Sequence, residues 1–172
     1  NFSVRLDLAR AAGGFRRVSC PYGYEDIELA FRVHQLCGAP VLYRPEALAE
    51  HEHFYTSHDL VERERLLGRT AWHFARANLA FARAVFGRDI ASSQEIAYSR
   101  AFVERERAGA ARQRETFESL DRIPGGAVSG PHAAELLKLI VQQHMLLKRW
   151  TWRAGLLEAV DAAAVPAEPE AV

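Results

Sequence analysis

The first third of the chain places apolar side chains at short, changing spacings that predict a mixed α/β segment. Residues 2–6 alternate between apolar and polar side chains, which favours a half-buried strand. A short helix is predicted over 6–12 and a longer one over 25–37, where apolar residues recur at helical spacing. Gly38 gives the longer helix a stop, and residues 40–43 predict a second short strand.

From residue 57 onward the spacing of apolar residues becomes that of α-helices. Helices are predicted over 57–86, 92–120 and 132–162. A stretch rich in glycine and proline, residues 123–131, predicts a linker before the last helix. The alternating Pro, Glu and Ala residues of 165–172 predict a disordered tail.

Two of these helices begin with capping residues. Ser57 or Asp59 is predicted to cap the first, and Ser92 with Glu95 resembles a capping box at the start of the second. Five candidate core positions are assigned to the last helix: Leu136, Ile140, Leu147, Trp150 and Leu157. The chain therefore divides into an α/β segment over 1–56, a helical extension over 57–164 and a tail, with helices dominating overall.

Composition narrows the class of protein without identifying it. Lys and Arg together number 22 and so do Asp and Glu, so no net charge attracts nucleic acid, and no nucleic-acid partner is expected. Cys20 and Cys37 provide neither a disulfide framework nor a metal-spaced pair. A cytoplasmic setting follows, with attachment to the inner face of a membrane left open. Because the chain opens on Asn1 within a predicted strand, we expect it to be the C-terminal piece of a longer protein.

The residues best suited to catalysis or metal binding lie around the start of the helix over 25–37. Glu25, Asp26 and Glu28 occupy its first turn, where the helix dipole favours negative charge. His51 and His53 follow after the second predicted strand. Carboxylate and imidazole groups brought together can support acid–base chemistry or hold a metal ion. The alternative is that the acids are ordinary first-turn residues and the histidines line a surface.

Several motifs of residues 1–56 occur in an order that resembles a known enzyme family. They are the strand that opens the chain, Gly13-Gly14-Phe15, Tyr24-Glu25-Asp26-Ile27-Glu28-Leu29, Tyr43-Arg44-Pro45 and His51. Together they resemble the C-terminal half of the catalytic domain of family 2 glycosyltransferases, which has the GT-A fold. The resemblance implies that this segment is an α/β remnant of such a nucleotide-sugar transferase domain.

The same resemblance assigns roles to individual residues. Asp26 would be the general base of an inverting transfer, and Glu25 would orient the acceptor or the base. His51, or as second choice His53, would complete a site for Mn²⁺ or Mg²⁺. Four further residues would contact substrate: Tyr22, Gly23, Tyr24 and Gly14. The donor would be a nucleotide sugar, most commonly a UDP-sugar, and the acceptor a glycan or glycolipid of a bacterial envelope.

Two departures from the family pattern limit what the chain can do by itself. The family carries an acidic residue after the Gly-Gly-Phe turn, where this chain has Arg16 and Arg17. No Asp-x-Asp metal motif occurs in the sequence. We therefore expect the chain to hold the acceptor side and the base without the donor half, and to be inactive alone. The helical extension would brace the catalytic domain, self-associate, or contact a partner or membrane.

Two other classes of function remain open at this point. The first is a non-catalytic helical interaction module whose first third is a degenerate glycosyltransferase remnant. The second is a small metal-binding or hydrolytic domain built from Asp26, His51 and His53, which lacks a dependable third ligand.

Overall fold

A computed structural model describes the chain at residues 2–16, 22–50, 52–124, 127 and 129–164. Four residues named above, Asn1, Arg17, Cys20 and His51, lie outside this part of the chain, and so does the predicted tail over 165–172. The helices of the described residues are α1 (Leu6–Ala11), α2 (Glu25–Cys37), α3 (Ser57–Ala77), α4 (Leu79–Phe86), α5 (Ser93–Leu120) and α6 (Ala133–Ala164).

The predicted α/β class is wrong, because the described residues contain α-helices and no β-strand. Residues 2–5 and 40–43, where strands were expected, have no regular secondary structure, and the side chains of Val41, Leu42 and Tyr43 are exposed. A strand is stable only when its N–H and C=O groups pair with a neighbouring strand. Alternating side chains therefore cannot establish a strand where no such pairing forms, and an α/β remnant is not seen.

The centre of the fold is a close crossing of α3 and α6. Gly68 of α3 faces the backbone of α6, where an added Cβ atom would overlap the carbonyl oxygen of Trp152. Gly155 of α6 faces α3 in the same way, and its added Cβ atom would overlap the carbonyl oxygen of Arg65. Two glycines thus let the helix backbones approach at a distance that no other residue would permit.

Helices α4 and α5 complete the bundle, a name used here for α3 to α6. Its core is made chiefly of small and aliphatic side chains, including Ala71, Ala75, Ala82, Ile90 and Leu156. The predicted helix over 57–86 is two helices, because Asn78 leaves the helical conformation and its side chain accepts a hydrogen bond from the N–H of Phe81. That bond starts α4 in a new direction.

The five predicted core positions of α6 fall into two groups along the helix. Leu147 and Leu157 are buried as expected, and Ile140 and Trp150 are half-buried. Leu136 is exposed, so its assignment to the core is wrong. The difference follows the packing, since Leu147 and Leu157 lie within the stretch of α6 that packs on α3 and α5, and Leu136 lies before it.

The N-terminal unit, a name used here for α1 and α2, has a much smaller core. Ala12, Leu29 and Val33 are its buried apolar residues, with Val4 and Leu8 packed around them. α2 also contacts the bundle through aromatic rings, with edge-to-face pairs between Phe31 and Phe81 and between Tyr24 and Phe86. The start of α2 is consequently held against the bundle.

Candidate functional site

The three acidic residues in the first turn of α2 have different surroundings. Glu25 and Asp26 are exposed, whereas the side chain of Glu28 is completely buried. One oxygen of Asp26 accepts a hydrogen bond of 2.8 Å from the N–H of Ile27. Of these three carboxylates, those of Glu25 and Asp26 can therefore meet a substrate, and that of Glu28 cannot.

Glu28 forms a buried ion pair with Arg32, one helical turn later. The Arg32 Nε atom lies 2.8 Å from both carboxylate oxygens, and Arg32 is itself buried. Arg16, which follows Gly13-Gly14-Phe15, approaches the same carboxylate at 3.4 Å. In the sequence, Glu28 is one of three first-turn acids and its partner is not predicted, because the ion pair depends on the fold around it.

Arg32 also connects α2 to the turn that follows α1. Its guanidinium donates hydrogen bonds to the carbonyl oxygen of Ala12 and, at 2.6 Å, to that of Gly14. Gly13 and Gly14 both have positive φ angles, of 80° and 67°, which glycine adopts without steric cost. The Gly-Gly turn and the acidic helix, far apart in the sequence, are thus joined by one side chain. Gly14 contributes its backbone carbonyl oxygen to this connection, as the acceptor of a hydrogen bond from Arg32.

Tyr24 connects the start of α2 to the bundle. It precedes α2 with a φ of 66°, an uncommon conformation for a residue with a side chain. Its hydroxyl oxygen accepts a hydrogen bond of 3.0 Å from the indole N–H of Trp152, and its ring packs against Phe86. Burial raises the pKa of the Tyr24 phenol above its usual value. The main role of Tyr24 in the fold is therefore to hold the start of α2 against α6.

The other two predicted substrate contacts, Tyr22 and Gly23, immediately precede Tyr24. Gly23 has a φ of 90°, and an added Cβ atom would overlap the end of the Leu67 side chain. Tyr22 is partly exposed, and the guanidinium of Arg63 lies over its ring at 5.7 Å. Tyr22 thus keeps a partly accessible ring, whereas Gly23 contributes a close approach of the chain to α3.

The proposed metal ligands are only partly described. His51 lies outside the described residues. His53 is exposed, and its ring stacks on that of Tyr55 with centroids 5.2 Å apart. Within the part of the chain that the structure describes, no three His, Cys, Asp or Glu side chains come together as a metal site would require. A metal role for either histidine stays a prediction.

A groove between α3, α5 and α6, which also includes Tyr24, was not predicted from the sequence. Its volume is about 850 Å³. The walls include Glu64, Glu95, Tyr98, Arg149, Trp152 and Arg153. One feature of the sequence could have indicated this groove. Positions 145, 149 and 152, which line it, are spaced three or four residues apart and therefore share one face of α6.

No known protein-family model matches this sequence, and no curated protein or solved structure matches it either. Of the helices in the described residues, none is long and apolar enough to cross a membrane.

Proposed function

We propose that this chain supplies the acceptor side of an inverting glycosyltransferase, with Asp26 as the general base. The observation that carries this proposal is the contrast within the first turn of α2. Asp26 is exposed at a helix start, where an ionised carboxylate is favoured, while Glu28 on the same turn anchors the helix from within. A base needs both a fixed position and access to the proton that it removes.

The buried ion pair supports this proposal because it joins the motifs that carry the family resemblance. Arg32 binds Glu28 with one nitrogen and the carbonyl oxygens around the Gly-Gly turn with the others. The turn, the acidic helix and the exposed carboxylate of Asp26 therefore form one connected unit. A set of unrelated first-turn acids would not require this connection.

In the proposed reaction, Asp26 accepts the proton of an acceptor hydroxyl as that oxygen bonds to the anomeric carbon of the donor sugar. The nucleoside diphosphate leaves from the opposite face, so the anomeric configuration inverts. Glu25 is exposed beside the base and hydrogen-bonds the acceptor, and the accessible ring of Tyr22 stacks on a sugar face. The nucleotide-binding groups come from residues outside this sequence, in which no Asp-x-Asp motif occurs.

The resemblance also implies Mn²⁺ or Mg²⁺, which would neutralise charge on the departing diphosphate. Among the described residues, His53 offers one exposed imidazole and no cluster of three ligands surrounds it. These residues by themselves do not fit a divalent cation. The reaction steps assigned to this chain therefore concern only the acceptor and its proton.

The test replaces Asp26 with Asn in the natural polypeptide that carries this sequence. Transfer of radiolabelled sugar from a panel of UDP-sugars to an envelope glycolipid extract should fall by about 10²–10⁴-fold, because the base is lost. Binding of the nucleotide sugar, measured by calorimetry, should not change. Asp161→Asn, the same substitution at an exposed position of α6, is the matched control. Transfer within threefold of the unmodified protein would reject Asp26 as the base.

A second candidate, a helical interaction module without catalysis, is favoured by one feature of α6. Its first half exposes six apolar side chains: Leu136, Leu137, Leu139, Val141, Met145 and Leu146. Exposed apolar surface of this kind marks contact sites in soluble proteins. This candidate predicts self-association in sedimentation velocity and no sugar transfer from any donor. A monomer that transfers sugar would exclude it.

A further inference from the structure

The groove between α3, α5 and α6 has the size of a ligand site and is open to solvent. At about 850 Å³ it lies within the range of roughly 300–1,000 Å³ that is usual for small-molecule pockets. Three helices and Tyr24 contribute its walls, so its shape depends on the folded bundle. None of the residues assigned to proton transfer lines it.

The walls of the groove carry more positive than negative charge. The lining cations are Arg88, Lys148, Arg149 and Arg153, and the lining carboxylates are Glu64 and Glu95. Glu95 lies 2.9 Å from both Arg88 and Arg153, and Glu64 lies 3.1 Å from Lys148. Two carboxylates thus face four cations, and two positive charges remain unbalanced.

Arg149 is the cation with the greatest capacity to bind an added anion. Within the described part of the chain it has no carboxylate at ion-pair distance, and one of its nitrogens donates a 2.8 Å hydrogen bond to the Tyr98 hydroxyl. Its guanidinium lies 4.9 Å from the Phe102 ring centroid, and that of Arg153 lies 4.5 Å from the Tyr98 centroid. The two rings are themselves stacked, with centroids 6.2 Å apart.

This stack fixes two guanidinium groups before any ligand arrives. Arg153 is buried and bonded to Ser99 and Glu95, so its position is set by the fold. Planar guanidinium groups match the oxygen geometry of phosphates and carboxylates, and holding them in place reduces the entropy lost on binding. An anion beside Arg149 would also relieve the repulsion between the two like charges.

The remainder of the groove is apolar. Leu67 and Trp152 line it from the bundle, and Met145 and Leu146 line it from the half of α6 that exposes apolar side chains. A free phosphate would leave this surface in contact with water. A ligand that has an apolar portion joined to its charged group would cover it, which is favoured by the hydrophobic effect.

We propose that this groove binds an anionic amphiphile, a molecule with a phosphate or carboxylate group attached to an apolar chain. The anion meets Arg149 beside the stacked rings of Tyr98 and Phe102, and the chain lies along Met145, Leu146 and Trp152. Tyr24 forms part of the wall two residues before Asp26, so a bound amphiphile would end near the proposed base. Only this last connection rests on the proposed function, since binding itself requires no transfer.

Calorimetric titration of the protein with octyl phosphate, below its micelle concentration, tests the proposal directly. Octyl phosphate should bind at least about tenfold more tightly than inorganic phosphate, which lacks the chain, and than octyl glucoside, which lacks the charge. Its affinity should also fall as salt is added. Equal affinity for octyl phosphate and either comparison compound would overturn the proposal.

Two substitutions at exposed positions separate the charged and apolar contributions. Arg149→Gln should weaken octyl phosphate binding by about tenfold, whereas Arg112→Gln, on an exposed part of α5 outside the groove, should not change it. Met145→Gln should weaken octyl phosphate and leave inorganic phosphate unaffected. Unchanged affinity in both groove variants, with circular dichroism like that of the unmodified protein, would overturn the assignment.

A last comparison distinguishes a single bound molecule from a membrane surface. Vesicles of phosphatidylcholine with phosphatidic acid are sedimented with the protein in the presence of octyl phosphate. Occupation of the groove predicts that octyl phosphate competes with the vesicles. Sedimentation with these vesicles without any binding of monomeric octyl phosphate would instead assign the exposed face of α6 to a bilayer, and would overturn the groove. Neither result depends on Asp26.

Discussion

The N-terminal unit and the bundle are stabilised by different interactions, although aromatic contacts join them. In the bundle, α3 and α6 cross at two glycines over a core of chiefly small and aliphatic side chains, and a buried pair of Arg153 with Glu95 lies apart from this crossing, in the groove. In the N-terminal unit, the buried apolar core is three residues, and Glu28 and Arg32 form a buried ion pair beside the Gly-Gly turn. Where little apolar surface is buried, a single polar pair must set the geometry of the helices.

This difference suits the two regions to different roles. A buried ion pair adds little net stability relative to apolar residues of the same shape, but it penalises any arrangement that leaves one charge unpaired. It therefore specifies where α2 begins relative to the Gly-Gly turn. The close crossing of the bundle instead provides a rigid surface, and the groove forms on that surface.

The largest expected effect comes from breaking the polar pair. Glu28→Gln leaves the buried guanidinium of Arg32 without its carboxylate, at a cost of about 3–5 kcal/mol. The amide protons of α1 and α2 should exchange faster, while those of α3 and α6 should be less affected. Hydrogen exchange measures the local loss of stability in α1 and α2. Urea denaturation measures the loss in the global free energy of unfolding.

Glu62→Gln is the control for that substitution. Glu62 also pairs with an arginine on its own helix, but at 3.6 Å and with both side chains partly exposed, so its removal should cost at most about 1 kcal/mol. Equal losses of stability in the two variants would mean that the buried pair has no special role, and the contrast between the two regions would fail.

Local signals in the sequence were sufficient to predict some helices. α2 was predicted over 25–37, and it begins and ends there, because acidic residues favour its start and Gly38 ends it with a φ of 63°. The first cap of the bundle was assigned to the wrong residue. Thr56 is the N-cap of α3, and Asp59 completes its capping box, so the predicted alternatives were both offset from the cap itself.

Features that depend on distant residues could not be predicted in the same way. The strands expected over 2–6 and 40–43 require pairing that no local pattern can provide. The role of Glu28 depends on Arg32 reaching the carbonyl oxygens of Ala12 and Gly14. Residue types near the site could be listed from sequence, but only packing separated the exposed acids from the buried one.

The second prediction tests the glycine crossing of the bundle. Gly68→Ala places a Cβ atom against the carbonyl oxygen of Trp152, which is backbone and cannot rotate away. Although alanine favours helices, we expect a net loss of about 2–3 kcal/mol, because α3 and α6 must move apart. Thermal unfolding followed by circular dichroism measures the loss.

Gly109→Ala provides the matched control, since Gly109 lies within α5 and an added Cβ atom would meet no neighbouring atom there. This variant should gain about 0.5–1 kcal/mol from helix propensity alone. A gain in stability at both glycines would show that the helix backbones are not as close as the crossing requires.

The smallest effect is expected at an exposed ion pair of the bundle, between Arg100 of α5 and Asp161 of α6. Both side chains are about half exposed, so Asp161→Asn should cost at most about 1 kcal/mol. The hydrogen bond from Arg100 holds the pKa of Asp161 below its ordinary value of 3.8. The pair therefore stabilises the fold fully above that value, and its contribution is lost as pH falls through the lower pKa of the folded state.

Urea denaturation between about pH 2 and 7 should show the two proteins converging in acid, where Asp161 is protonated in folded and unfolded states alike. The difference at neutral pH should shrink in high salt, because exposed charges are screened. A loss as large as that of Glu28→Gln would contradict the comparison between the regions. It would mean that exposure does not decide what an ion pair contributes here, and that the bundle depends on charge as much as the N-terminal unit does.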